Sequence, residues 1–191
     1  AGCSHTPDIV LFSPVIVGGR LVAVTSTVAH HVDVGGPVPG TENATALEVF
    51  GEGLILPPMK LYDRGRPDRN LLAVIARNLR DPAATTGDLN AQIAACRTGE
   101  RRIADLVEKY GVEGFLARKS AVLDHSHTFI RAALSPYRGK SCRAEILIED
   151  DAASAEPMRL AVQVTIGDGT LTADFTGTEG QRANGLNCPV A

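Results

Sequence analysis

Two apolar runs, residues 9–17 and 21–28, rich in Val, Ile and Leu, flank Gly18-Gly19. A two-residue Gly-Gly between such runs is a strong hairpin signal, because a type I′ turn needs positive φ at both central positions. With that turn Val17 faces Arg20, and a regular ladder sets Asp8 opposite Ala29, His30 opposite Pro7 and His31 opposite Thr6. Alternate residues of a strand point to opposite faces, so this ladder groups His5 with His30 and Asp8 with His31. Pro7 cannot donate to a ladder and invites a local departure; Pro14 invites a bulge.

Residues 35–40, Gly-Gly-Pro-Val-Pro-Gly, form a loop by composition. A short helix is expected around residues 45–50. Residues 53–62 read as a kinked extended segment, since Pro57 and Pro58 bar helix. Asp68 can cap a helix beginning near Arg69, with Leu71, Leu72, Ile75 and Leu79 at the helical period, and Asp81-Pro82 ends it. Thr86 is the expected cap of a longer helix running to Tyr110, with Leu89, Ile93, Cys96, Ile103, Leu106, Val107 and Tyr110 on one face. Gly111 stops it. A further helix over 112–134 follows so closely that the two should pair antiparallel. His125 and His127 on it read as core-edge or solvated, since residues two apart on a helix diverge. Strands then return over 142–148, 160–166 and 171–175, with Gly167-Asp-Gly169 as a turn, Leu171, Ala173 and Phe175 facing the core, and 149–156 as an exposed acidic loop. The predicted class is α+β: an N-terminal β hairpin (within 1–62), a central helical hairpin (within 63–139) and a C-terminal antiparallel β meander (within 140–191).

The chain has 191 residues and a net charge of -3, with no basic cluster, so nucleic acid is not an expected partner. Cys3, Cys96, Cys142 and Cys188 are scattered without a C-x-x-C pair, which reads as reduced thiols and a cytoplasmic setting. No apolar run reaches the ~20 residues of a membrane span, and no signal peptide is visible. The absence of an initiator Met leads us to expect a fragment of a longer protein.

The candidate chemistry lies where the hairpin opens. His5-Thr-Pro-Asp8 and His30-His31-Val-Asp33-Val-Gly35-Gly36 are brought side by side there. Imidazole and carboxylate with open positions suit Mn, Fe or Zn; the alternative is a set of polar residues flanking a buried hairpin. Gly35 and Gly36 allow close backbone approach to a ligand, or simply turn the chain.

These residues carry a resemblance. His5-x-x-Asp8, Gly19-x-Leu21, His30-His31-x-Asp33-x-Gly35-Gly36, Pro39-Gly40, Glu52-Gly53-x-x-Leu56-Pro57-Pro58-x-Lys60-Leu61, Asp88-Leu89-x-Ala91-Gln92 and Asp174-Phe175-Thr176-Gly177-Thr178 together resemble the hydantoinase B/5-oxoprolinase family, which includes the corresponding large subunits of acetone and acetophenone carboxylases. The resemblance implies a longer domain of which this is a part. It also implies a component of an ATP-dependent hydrolase opening cyclic amides such as hydantoin, 5-oxoproline or related lactams, or of a ketone carboxylase. A noncatalytic assembly module is the alternative of a different class. ATP would be bound by a hydantoinase A-type partner subunit or fused domain, making a hetero-oligomer. The divalent metal, Mn foremost with Zn or Fe as alternatives, would be held by His5, Asp8 and His30. His31 remains a candidate for the ligand position or for the catalytic chemistry. Asp33 would act as general base or as partner to a ligating imidazole, and Gly35 and Gly36 would lie against substrate.

Overall fold

The computed structural model describes residues 5–41, 43–149, 156–185 and 187. They form two compact units, one comprising the residues up to 106 with Asn187, the other those from 107 to 185. The predicted mixture of helix and strand is present: an N-terminal hairpin, a long central helical stretch and a C-terminal three-stranded antiparallel sheet.

The first unit is built on the hairpin of β1 (Asp8–Val17) and β2 (Arg20–His30). Gly18 and Gly19 take φ of 58° and 80°, as a tight primed turn demands. The ladder is not regular. Val17 pairs with Arg20 and Ile16 with Leu21, but Val15 pairs with Ala23, leaving Val22 as an extra residue. This bulge moves every later pair by one, so Asp8 lies opposite His30 rather than Ala29. The expected grouping of faces is overturned for the same reason: Asp8 shares its face with His30, not with His31.

One face of the hairpin is buried. Ile9, Val15 and Val22 lie there at 8%, 5% and 2% exposure, each worth roughly 1.5–3 kcal/mol of apolar transfer. Ile9 joins Val34, Ile75, Leu79 and Leu89 in the core. The opposite face, with Phe12, Ile16, Val24 and Val28, is exposed.

The expected helix over 45–50 is only a 3-10 turn, Val49–Glu52. Tyr62–Asp63 (β3) and Arg66–Pro67 (β4) form a minimal hairpin around Arg64 and Gly65, both at positive φ. Asp68 caps α1 (Arg69–Arg77), accepting from the N–H groups of Asn70 and Leu71. The long helical stretch α2 (Pro82–Leu134) begins earlier than Thr86, because Asp81 accepts from Ala84 N–H and Pro82 occupies the first turn, where its missing N–H costs nothing. Its buried stripe in this unit is Thr85, Leu89, Gln92 and Cys96, two of them polar, whereas Leu106 is 42% exposed. Thr25 packs within contact of Gly99, and its hydroxyl donates to Cys96 O.

In the second unit α2 is broken at Gly111 (φ 70°, ψ 163°), as expected. His125 and His127 are exposed. After the turn Ser135–Tyr137, β5 (Ser141–Ile148), β6 (Met158–Ile166) and β7 (Leu171–Asp174) form a meander in that order. Leu171, Ala173 and Phe175 are all exposed rather than in a core, as is nearly all of β5, so the described residues leave much of this sheet uncovered. Most of the acidic loop, and Cys3 and Cys188, fall outside the described residues; Cys96 and Cys142 are free thiols. No described helix is long and apolar enough to cross a membrane.

Candidate metal centre

The hairpin and the turn before it bring three donors together. Asp8 N–H donates to His5 O at 3.3 Å and Ile9 N–H to Pro7 O at 3.0 Å. These bonds fold residues 5–9 back on themselves, so that His5 overhangs the first strand pair. His5 Nε2 lies 3.2 Å from Asp8 Oδ2, and His30 Nδ1 lies 3.3 Å from Asp8 Oδ1. The two imidazoles are tilted with centroids 4.8 Å apart. One ligating atom from each of His5, Asp8 and His30 falls within 4.8 Å of the others. All three side chains keep contact with solvent, at 36%, 23% and 46% exposure.

Two neutral-capable imidazoles and one carboxylate gathered on one face fit a divalent ion with positions left for exogenous ligands. Both carboxylate oxygens face imidazole nitrogens, so a single acidic group serves two histidines.

His31, one residue further, does not join them. It is fully buried, its backbone N–H donates to Pro7 O at 2.9 Å, and its Nε2 meets Gln92 Oε1 at 3.0 Å. Its Nδ1 is buried with no partner among the described residues.

Asp33 is also buried, and its bonds go to the following loop rather than to an imidazole. Oδ1 accepts from Gly35 N–H and Oδ2 from Gly40 N–H, each at 2.8 Å, and Arg80 Nη1 reaches Oδ2 at 2.8 Å. Arg80 further donates to the carbonyls of Gly35, Val38 and Gly36. Burial pushes the Asp33 carboxyl up, but the Gly40 and Gly35 N–H groups and the Arg80 guanidinium outweigh it and hold its pKa below the usual carboxylate range. Thr41, at φ 66°, closes the loop by accepting from Val34 N–H and donating to Gly35 O.

The loop walls a cavity of about 470 Å³, lined by Val34, Gly35, Gly36, Phe50, Gly53 and Leu54 among others. Its glycines are dictated by backbone crowding as well as by φ. A Cβ on Gly53 (φ 102°) would sit 2.7 Å from Val34 O, and one on Gly36 (φ 78°) would sit 3.0 Å from Gly51 O. The same wall reaches the donor cluster, because the Thr6 hydroxyl, between His5 and Asp8, donates to Glu52 O.

Gln92 and Arg80 carry much of this arrangement, and sequence reasoning gave neither a role. Gln92 was visible as a polar residue between Leu89 and Cys96 on an apolar stripe. Arg80 left no comparable signal.

The model of the hydantoinase B/oxoprolinase family matches residues 1–191. The chain belongs to that family. It is 32% identical over 185 residues to a putative D-/L-hydantoinase subunit of a Pseudomonas species, covering 94% of this chain and 31% of that protein. It is 34% identical over 163 residues to the caprolactamase subunit beta of Pseudomonas jessenii, covering 85% of this chain and 28% of the relative. The crystal structure of that ATP-dependent caprolactamase superposes with a TM-score of 0.81 at 32% identity, over 89% of this chain and 29% of the other. An acetone carboxylase in its nucleotide-free form shares the fold, with a TM-score of 0.87 at 21% identity, over 98% of this chain and 26% of the other. The chain thus spans about a third of the length of these relatives.

Proposed function

We propose that this chain is the metal-bearing part of an ATP-dependent hydrolase that opens cyclic amides, hydantoin, 5-oxoproline or a related lactam. The observation that carries the reading is the cluster of His5, Asp8 and His30 on a chain 34% identical to a caprolactamase subunit. A divalent metal bound there, Mn foremost, supplies Lewis-acid polarisation of an oxygen and acidifies bound water.

The chain's own residues supply the rest. His5, Asp8 and His30 would hold the ion, and before it binds the Asp8 carboxylate keeps one nitrogen of each imidazole turned toward the shared position. The loop 33–41 is held rigid by Asp33 and Arg80, so Gly35 and Gly36 present bare backbone to a substrate ring seated in the cavity. Phe50, 79% exposed at the cavity wall, covers that ring. ATP is consumed on a hydantoinase A-type partner subunit or domain that activates the amide oxygen; relatives named as subunits of a hydantoinase and of a caprolactamase support such a partner.

The test is ring opening of hydantoin, 5-oxoproline and a larger lactam by the full-length protein with its partner, with and without ATP, beside metal analysis. ATP-dependent ring opening that is lost in His30→Ala is expected. Bicarbonate-dependent carboxylation of a ketone without ring opening would replace the reading with the carboxylase one. A protein that binds no divalent metal and whose complex is indifferent to His30→Ala would reduce it to an assembly module.

A further inference from the structure

Behind the donor cluster, on the buried face of the hairpin, one side chain from α2 ties the two strands together. Gln92 is 5% exposed. Its Nε2 donates to Ile9 O at 2.9 Å and its Oε1 lies 3.0 Å from His31 Nε2. Ile9 follows Asp8 and His31 follows His30, and Asp8 and His30 are directly paired. A single carboxamide therefore grips the neighbour of each paired donor from the opposite side of the hairpin.

The chemistry leaves no freedom in this arrangement. A carbonyl only accepts, so the amide NH2 must face Ile9 O, and the amide oxygen, which also only accepts, is left for His31. His31 must then carry its proton on Nε2. Its Nδ1 stays a bare lone pair, buried and without a partner among the described residues. With the His31 backbone N–H also bound to Pro7 O, the segment carrying His30 is anchored at ring and backbone together.

We infer that Gln92 is the positioning residue of the metal centre: by locking Ile9 and the Nε2–H tautomer of His31, it sets the separation of Asp8 and His30 before an ion arrives. The inference rests on the metal reading above. Partners that orient metal ligands typically govern affinity by 10–100-fold, and Gln92 acts one residue removed from two of them, on the Ile9 carbonyl beside Asp8 and on the His31 ring beside His30.

The test uses the full-length protein with Gln92→Met, which keeps the volume and removes both hydrogen bonds. Mn(II) affinity, followed by the electron paramagnetic resonance of the free ion, is expected to fall at least tenfold, and the visible spectrum of the Co(II)-loaded variant to change. The imidazole 15N shifts of His31 in the metal-free wild type are expected to show the Nε2–H tautomer, and that preference is expected to disappear in the variant. Loss of packing alone would lower thermal stability and leave the Co(II) spectrum unchanged, which would overturn the inference. So would Mn(II) affinity within twofold of wild type. If Gln92→Met fails to fold, Gln92→Asn, one methylene too short to reach both strands, carries the same expectations. A wild-type protein that binds no Mn(II), Zn(II) or Co(II) sinks the metal reading and this role with it; tight wild-type binding unchanged by the substitutions sinks this role alone.

Discussion

Asp33 and Arg80 meet at 2.8 Å across 47 residues of chain, and the contact gathers the whole loop 33–41 onto one ion pair. Asp33 is only 8% exposed at its side chain, whereas Arg80 is 41% exposed. Their losses should therefore differ. Asp33→Asn leaves a buried N–H of Gly35 or Gly40 poorly paired and is expected to cost about 2–3 kcal/mol. Arg80→Met, partly screened by solvent, should cost about 1 kcal/mol. Urea unfolding of the two variants checks the order.

The same carboxylate makes a pH prediction with a definite sign. Its folded pKa is held below the ordinary aspartate value. A depressed carboxyl adds stability that is fully present above the unfolded value of about 4, and that stability drains as pH falls through the folded pKa. The urea midpoint of wild type should thus drop on the acid side of pH 4, with a shallower drop in Asp33→Asn. Equal slopes would remove Asp33 from the acid response.

Adjacent histidines should separate cleanly. His30→Ala, at a 46% exposed side chain, is expected to abolish divalent-metal binding and leave stability within about 0.5 kcal/mol. His31→Ala empties a fully buried site and orphans Gln92 Oε1, which should cost about 2–4 kcal/mol. Paired calorimetric metal titrations and urea curves distinguish them; the reverse pattern would make His31 the ligand.

Two glycines at positive φ should respond differently to a methyl group. Gly18 (φ 58°) has open space around it, so Gly18→Ala should cost about 1–2 kcal/mol from left-handed strain alone. Gly53→Ala drives a Cβ to 2.7 Å of Val34 O and should cost well above that, about 3 kcal/mol or more, since backbone must move. On the proposed function, it should also raise the KM of the full-length protein for ring opening, through the cavity wall.

The apolar runs of residues 9–17 and 21–28 and the Gly-Gly turn between them made the hairpin legible, and Asp68, Gly111 and the strand pattern after residue 140 made the rest of the element order legible. The register was not. Pro14 hinted at a bulge nearby, but nothing in Leu21-Val22-Ala23 marks Val22 as the extra residue, and that residue decides which histidine faces Asp8. Asp81-Pro82 read as the end of one helix is also the start of the next, because Asp and Pro serve both purposes. In the site, the short-range bond from Asp33 to Gly35 N–H follows from an Asp-x-Gly sequence, but its partner Arg80 is brought in only by the packing of α1, and Gln92 only by that of α2.

The hairpin divides its labour by side. Asp8 and His30 point outward, while Ile9, His31 and Gln92 hold the same pair of strands from within. Changes of ligand type on the outer side therefore need not disturb the inner one. On the proposed metal reading, ion preference on this scaffold is open to redesign, for example His30→Asp or His5→Glu toward harder ions, without first re-solving how the protein folds.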